Sequence, residues 1–215
     1  MTKPARPKKE IDSIKETILA SALAILSEEG YGALTMRKIA AKTGMTAANI
    51  YNYFHGKDDI YLELVIQGFG ILHGSLKAAV ETPGAPPDRV RAIMDAYYGF
   101  SKEFGQHYDI MFTLPTPKFN DFLGTDLEEK ARVEMDLSDK IVAMLTDAVA
   151  DIFGGTKGFS RDEAALRMIE AWTLIHGLVS LGKSRVLQYV ASDADAMYAR
   201  MRDEMLALLE SALGG

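Results

Sequence analysis

A chain of 215 residues that is 48% hydrophobic and 25% charged can bury an ordinary globular core, as one large domain or two smaller ones. It has no cysteine, which excludes disulfides, thiolate metal sites and cysteine redox chemistry. The net charge of −6 excludes a protein that binds nucleic acid with its whole surface. The charge is unevenly spread, however. Residues 1–60 carry nine Lys/Arg against seven Asp/Glu, leaving fifteen against twenty-three in 61–215. A mildly basic head before an acidic body suits a protein that sets one end on phosphates, although chance asymmetry gives the same numbers. No apolar run approaches ~18 residues, so no membrane partner is expected. The basic N-terminus lacks the apolar core of a secretory signal. With the missing cysteines, this predicts a cytoplasmic protein.

Residues 1–10 hold two prolines and four basic residues and read as a flexible arm. Lys3, Arg6, Lys8 and Lys9 either touch DNA backbone or are simply solvated. A helix is expected over 12–29, striped by Ile11, Ile14, Ile18, Ala22, Ile25 and Leu26 and ended by Gly30. Two short helices follow. Thr35 is a good N-cap for the first, because its hydroxyl can accept from an unpaired amide. Met36, Ile39 and Ala40 give that helix an apolar side. Gly44 supplies the left-handed residue that a chain leaving a helix needs. Thr46 caps the second helix, where Ile50 and Phe54 lie four apart and face inward together. Ala47, Ala48, Asn49, Asn52 and Tyr53 are left for the outer side. Small residues allow close approach to a groove, and an amide suits an adenine edge.

This segment resembles the signature of the TetR family of bacterial transcriptional regulators. The residues that carry the likeness are Gly30-Tyr31, Thr35, Ile39-Ala40, Gly44-Met45-Thr46, Ile50-Tyr51, Tyr53-Phe54 and Lys57. They run in register over roughly 14–61. Ala47 and Ala48 depart from the pattern, standing where many members carry a larger or polar residue and a glycine. The resemblance implies an all-α fold: an N-terminal three-helix helix-turn-helix head over 1–60, then a larger helical domain over 61–215 that binds an effector and dimerises. On this reading Thr35, Thr46, Tyr51, Tyr53 and Lys57 position the head on phosphates. Ala47, Ala48, Asn49 and Asn52 face bases.

Beyond the head, helical spacing predicts a long helix over 57–82, with Ile60, Leu64, Phe69, Leu72 and Leu76 near one side. Thr82-Pro83-Gly84-Ala85-Pro86-Pro87 is the clearest break in the chain. A helix over 88–104 carries Val90, Ile93, Met94, Tyr97, Tyr98 and Phe100. A short apolar piece, 108–114, precedes a loop with Pro115 and Pro117. Another long helix is expected over 127–153, broken by Gly154-Gly155 and Gly158. Ser160 reads as the next N-cap, with Glu163 completing a capping box, for a helix lasting to about Leu181. The last helix, 193–213, is striped by Met197, Met201, Met205, Leu208 and Ala212. No strand pattern, repeat or low-complexity tract occurs.

The four histidines, His55, His73, His107 and His176, form no metal-binding pattern, so no metal or cofactor is expected. His73 and His176 fall in apolar helical stretches and read as hydrogen-bonded interior residues. Glu128, Glu129, Glu134, Asp136 and Asp139 read as a solvated face. No nucleophile stands with a base, so no enzyme is expected. The aromatics and methionines between Phe69 and Met144 read either as core or as a cavity lining. The resemblance favours a cavity, and Phe69, His73, Tyr97, Tyr98, Phe104 and Met111 are the candidate contacts to a mostly apolar small-molecule effector. From Ala171 to Gly182 there is no Asp, Glu, Lys or Arg. A helix so apolar must be buried on several sides. It is either a central core helix or, as its resemblance to a tract near the C-terminus of many TetR-like regulators implies, part of a homodimer interface formed with the last helix by Trp172, Ile175, Leu178, Leu181, Met201 and Leu208.

Taken together, the sequence predicts a homodimeric, ligand-responsive repressor whose partners are a palindromic double-stranded DNA operator and a small molecule. The rival readings are an all-α carrier or enzyme with a vestigial helix-turn-helix, an activator, and a nucleoid-type binder without effector.

Overall fold

Pro7 precedes the first helix of the computed structural model, which describes residues 7–154, 159–191 and 193–213, the last five by backbone alone. Proline suits that position because a helix start has no use for its missing amide. Helix α1 then runs Lys8–Glu29 and stops at Gly30, whose φ of 79° few other residues tolerate. It starts earlier than the apolar stripe predicts, since Lys8–Ile11 are good helix formers on their own. Lys3 and Arg6 of the expected arm lie outside the described residues, and Lys8 and Lys9 are helical. The buried face is Ile18, Leu19, Ala22, Leu23, Ile25 and Leu26. Ile11 and Ile14 are only half-buried, so the stripe engages over the last three turns.

The remaining helices are α2 (Met36–Thr43), α3 (Ala47–Ile50), α4 (Lys57–Val80), α5 (Pro86–Glu103), α6 (Gly105–Tyr108), α7 (Glu128–Phe153), α8 (Arg161–Lys183) and α9 (Ala194–Leu213). Among the described residues there is no strand, and the fold is all-α. Packing divides the chain into two compact units, Met1–Phe69 with Phe104–Asp136, and Gly70–Glu103 with Leu137–Gly215. This differs from a simple division at residue 60. The segment after α5 returns to pack with the N-terminal helices, and α4 and α7 each contribute to both units.

In the first unit α1 packs against α2, α6 and the turn that follows α6, and α2 packs against α3. Ile18, Leu26, Leu34, Ile39 and Ile50 are completely enclosed. Each buried side chain of this size contributes roughly 1.5–3 kcal/mol. The piece 108–114 is not a simple loop entry. Tyr108 ends α6, and Asp109–Thr113 continue as a π-helical turn, closed by the Leu114 amide donating to the Asp109 carbonyl at 2.8 Å. Tyr61 is fully buried and donates its hydroxyl to the Pro117 carbonyl at 2.9 Å. Burial pushes its phenol up to about 12.

In the second unit α5, α8 and α9 each pack on the other two. Tyr98 and Tyr198 stack face to face, 3.8 Å between centroids and 5° from parallel. The Tyr98 hydroxyl donates to Asp195 and the Tyr198 hydroxyl to Asp95, both at 2.7 Å. Arg202 reaches the same Asp95 at 2.8 Å, and Arg91 reaches Asp203 at 2.7 Å. On α9 the core positions are Tyr198 and Leu206, whereas Met197, Met201 and Met205 are half-buried and Leu208 is exposed. The methionine stripe is therefore offset from the core side. The side chain of Ala212 lies outside those described, as do Gly155 and Gly158. Ser160 caps α8 by accepting from the Glu163 amide at 3.1 Å. The return half of the expected capping box is replaced: Glu163 accepts from Arg167 instead. Helix α8 is also the one helix among the described residues long and apolar enough to cross a membrane, with a mean hydropathy of 1.2 over 18 residues. Arg167 and Glu170 interrupt its apolar run, so the helix meets that measure without an unbroken apolar stretch of the length sought in the sequence. Ile175, Leu178 and Val179 are buried within the unit.

Candidate functional site

The residues expected at the DNA surface come together on α2, α3 and the start of α4. Thr35 accepts from the Lys38 amide at 3.2 Å and begins α2. Gly44 ends it with φ 69° and ψ 17°. The Met45 amide bonds back to the Ala40 carbonyl at 3.1 Å, and the Thr43 hydroxyl donates to the Ile39 carbonyl at 2.9 Å. These bonds satisfy carbonyls that a helix end otherwise leaves open. Thr46 then accepts from the Asn49 amide at 3.2 Å and begins α3. The angle between the two helices is thus set by two threonine caps and one left-handed glycine.

Helix α3 is a single turn, after which residues 51–53 continue as a tighter turn, with the Tyr53 and Phe54 amides both bonding the Ile50 carbonyl. Ile50 and Phe54 point into the core. Ala48, Tyr51 and Asn52 are exposed, and Ala47, Asn49 and Tyr53 are half-buried. The reading surface therefore carries methyls, two amides and two phenols, and no fixed charge.

Charge lies at its margins. Lys38 pairs with Glu29, and Lys42 pairs with Glu28 at 3.7 Å. Arg37 is exposed and is a cation the motif reading passed over; only its place at the start of α2 could have flagged it. The Lys57 ammonium sits over the Tyr31 ring, 4.4 Å from its centroid. The two carboxylates that follow are both engaged. Asp58 accepts from the Tyr31 hydroxyl. Asp59 accepts from the His55 amide at 2.8 Å and from Lys130 at 2.6 Å. Burial raises the Asp59 carboxyl, but the bonds from Lys130 and His55 outweigh it and hold it below the usual range.

The six candidate effector residues divide between the two units. Phe69, Phe104 and Met111 belong to the first unit, and His73, Tyr97 and Tyr98 to the second. In the second, Tyr98 is committed to its stack and to Asp195, and Tyr97 accepts from the Trp172 indole at 2.7 Å. In the first, Phe69 meets Phe112 edge-on at 6.0 Å, and Phe112 meets Tyr108 at 5.2 Å. Met111 and His107 pack against the bare face of Gly68, so that a Cβ there would lie 2.5 Å from the Met111 sulfur. The His107 Nε2 is buried without a hydrogen-bond partner. Burial also pushes its imidazole down, towards the neutral form. No sequence signal marks it, because a histidine in a short helix has no diagnostic neighbours. His73 and His176 are only half-buried. Glu134, expected on a solvated face, is half-buried, and burial raises its carboxyl against the pull of Lys118.

Of the six candidate dimer residues, Ile175 and Leu178 fill their own unit's core, and Met201 is half-buried. Trp172, Leu181 and Leu208 are exposed, together with Leu166 and Ile169 on α8. Among the described residues no cluster of His, Asp or Glu could hold a metal.

Comparison with known proteins accords with this arrangement. Residues 18–64 match the family described as bacterial regulatory proteins, tetR family, and residues 90–205 match that described as tetracyclin repressor-like, C-terminal domain. The HTH-type transcriptional activator FasR of Mycolicibacterium smegmatis is 25% identical over 85% of this chain and 74% of its own. An uncharacterized HTH-type transcriptional regulator of Mycobacterium tuberculosis is 24% identical over 91% of this chain and 81% of its own. The fold is shared with a tetR-family regulatory protein from Rhodococcus RHA1, with a TM-score of 0.66 at 20% identity over 90% of this chain and 95% of that one. It is shared also with the regulator FadR from Bacillus subtilis, solved in complex with stearoyl-CoA, at a TM-score of 0.62 and 15% identity over 89% and 96%. One match spans the threonine-capped helix pair and the other more than half of the chain, and so the chain belongs to the TetR family and is a transcriptional regulator with a helix-turn-helix DNA-binding head.

Proposed function

We propose that this protein is a ligand-responsive repressor that binds a palindromic operator as a homodimer. The observation that carries the reading is the exposed surface of α3 and the turn after it. Ala48, Asn49 and Asn52 are presented there by two threonine caps and Gly44. Alanine methyls meet thymine methyls, and asparagine pairs with adenine N6 and N7. Thr35, Thr46, Tyr51, Tyr53 and Lys57, with Arg37 added, hold backbone phosphates. Residues 1–60 are the reading part, and 61–215 supply effector and dimer contacts.

Dimerisation uses exposed apolar residues, Leu166, Ile169, Trp172, Leu181 and Leu208. A two-fold pair of heads then meets half-sites about one turn, ~34–36 Å, apart. Selection of bound duplexes from a random pool, then footprinting and sedimentation, tests this. A monomer at micromolar concentration with no footprint on any selected duplex refutes it.

The effector is mostly apolar. Its contacts narrow to Phe69 and Met111 of the six candidates, with Phe112 and the unsatisfied His107 Nε2 beside them. Phe69 lies on α4, and His107, Met111 and Phe112 lie on α6 and the π-helical turn, which pack on α1, and α1 packs on α2. A ligand there has a short physical route to the reading helices, and switching requires only that it bind better to a state unable to read. The fold accommodates stearoyl-CoA in the Bacillus subtilis protein. A thermal-shift screen of apolar and charged metabolites, followed by DNA titration with each hit, tests the proposal. Hits that stabilise the protein yet leave DNA affinity unchanged refute the switch, and turnover of a hit favours the enzyme rival.

The name of the Mycolicibacterium relative favours a second reading, an activator. In vitro transcription from a promoter carrying the selected site separates the two by the sign of the response.

A further inference from the structure

Lys57 is the first residue of α4, and the next two are Asp58 and Asp59. A lysine meant for a DNA phosphate is thus followed at once by two carboxylates. Free, they would repel the same phosphate and compete for the same ammonium. Neither is free. Asp59 is almost enclosed, at 7% exposure, between the His55 amide and Lys130. Lys130 also reaches Glu63 at 2.7 Å. Asp58 is taken by the Tyr31 hydroxyl. The same tyrosine offers its ring face to Lys57, and its edge-on contact with the buried Tyr61, 5.2 Å and 79°, fixes the ring's own orientation.

From this arrangement we infer that Tyr31 is the positioning residue of the phosphate contact, seating the Lys57 ammonium on its ring while its hydroxyl holds the Asp58 carboxylate away from the DNA. The inference rests on the proposed DNA contact of Lys57 and goes beyond it. It assigns a role to a residue outside the helix-turn-helix proper, in the 3-10 turn Tyr31–Ala33 before α2. The ring supplies a cation–π seat, an interaction that restrains a lysine without neutralising it. The hydroxyl supplies a donor to an ionised carboxylate, a stronger bond than one between neutral groups. Burial and then Asp58 hold the phenol above its ordinary titration range, so it remains a donor at any pH used for DNA binding.

The test measures dissociation constants by fluorescence anisotropy on a selected duplex and on a scrambled one. Parent, Tyr31→Phe, Asp58→Asn and the double variant are compared, each first checked by thermal melting. Tyr31→Phe keeps the ring but releases Asp58. Affinity should fall about five- to tenfold, the scale of one unit charge at about 4 Å in near-bulk water, and equally on both duplexes. Asp58→Asn alone should bind at least as tightly as the parent, and the double variant should recover to within about twofold of it. Lys57→Ala added to Tyr31→Phe should cost little more, and both single variants should lower the salt slope, by up to about one ion for Lys57→Ala. A Tyr31→Phe protein that binds like the parent overturns the inference. So does a loss that Asp58→Asn leaves unrepaired, or one that simply adds to the loss from Lys57→Ala. Failure of the parent to bind any selected duplex is a different result, and it removes the DNA reading itself.

Discussion

The reading elements of the first unit and the helices of the second are held by different chemistry. The first joins its reading elements with caps and turns between residues three to five apart, such as Thr35 with Lys38, Thr46 with Asn49, and Met45 with Ala40. The second is tied by tyrosine, aspartate and arginine pairs between residues about a hundred apart, as in Asp95 with Tyr198 and Arg202. Local bonds fix the shape of a small surface that must present the same atoms each time. Long-range polar ties hold helices whose sequence neighbours cannot hold them. Short caps are also what a sequence can announce, whereas a partner a hundred residues away is invisible until the chain has folded.

The sharpest way to separate the units is Tyr198→Ala. It removes a ring with 5% exposure together with its stack on Tyr98, and should cost about 3–5 kcal/mol. Amide exchange should rise first in α5, α8 and α9. Equal acceleration in α1 and α2 would show that the two units do not unfold separately.

Asn49→Ala should leave melting nearly unchanged and cost roughly 1–3 kcal/mol of DNA affinity at one base position, relaxing preference there. A uniform loss on all duplexes would move Asn49 from base reading to backbone holding.

Thr46→Ala removes a cap whose whole effect is local and should cost about 1 kcal/mol. Weaker binding on every duplex, with the second unit's exchange untouched, is the expected result. If α5 or α9 responds as well, the contrast drawn above fails.

Two carboxylates of the first unit should give small pH effects of opposite sign. The folded pKa of Asp59 is depressed. Its contribution is full above the ordinary aspartate value of about 3.9 and is lost as pH falls through the folded value. The folded pKa of Glu134 is raised. Its contribution is full below the ordinary glutamate value of about 4.3 and declines as pH rises through the raised value. Denaturation across the acid range should show Asp59→Asn flattening the acid limb. Glu134→Gln should keep or improve neutral stability. A large neutral loss in Glu134→Gln would contradict the burial cost assigned to it.

Much of the head was legible in the sequence because its signals are short-range: hydroxyl caps, one left-handed glycine, and apolar residues at helical spacing. Helix ends elsewhere moved by only a few residues. What could not be read depends on the folded neighbourhood. Glu134 looked solvated from its charged neighbours, yet packing half-buries it. Ile175 and Leu178 looked available to a partner because α8 is apolar nearly all round, yet its own unit uses that side. The stack of Tyr98 on Tyr198 and its bond to Asp195 join residues about a hundred apart and have no sequence signal. His107 looked unremarkable, and only its packing leaves Nε2 unsatisfied. The return of residues 104–136 to the N-terminal unit leaves no trace in periodicity at all.

The π-helical turn at Asp109–Thr113 stores one residue more than an ordinary helical turn holds. That surplus is a quantity of rotation. Were it released, the chain beyond it would swing by about 100° for the single residue gained, carrying Phe112 to a different quarter of the axis. A deletion of one residue there would leave the helix shorter by a step and the aromatic ring facing elsewhere. The turn therefore works as a phase setting: it fixes which way this stretch faces without altering either of the segments it joins.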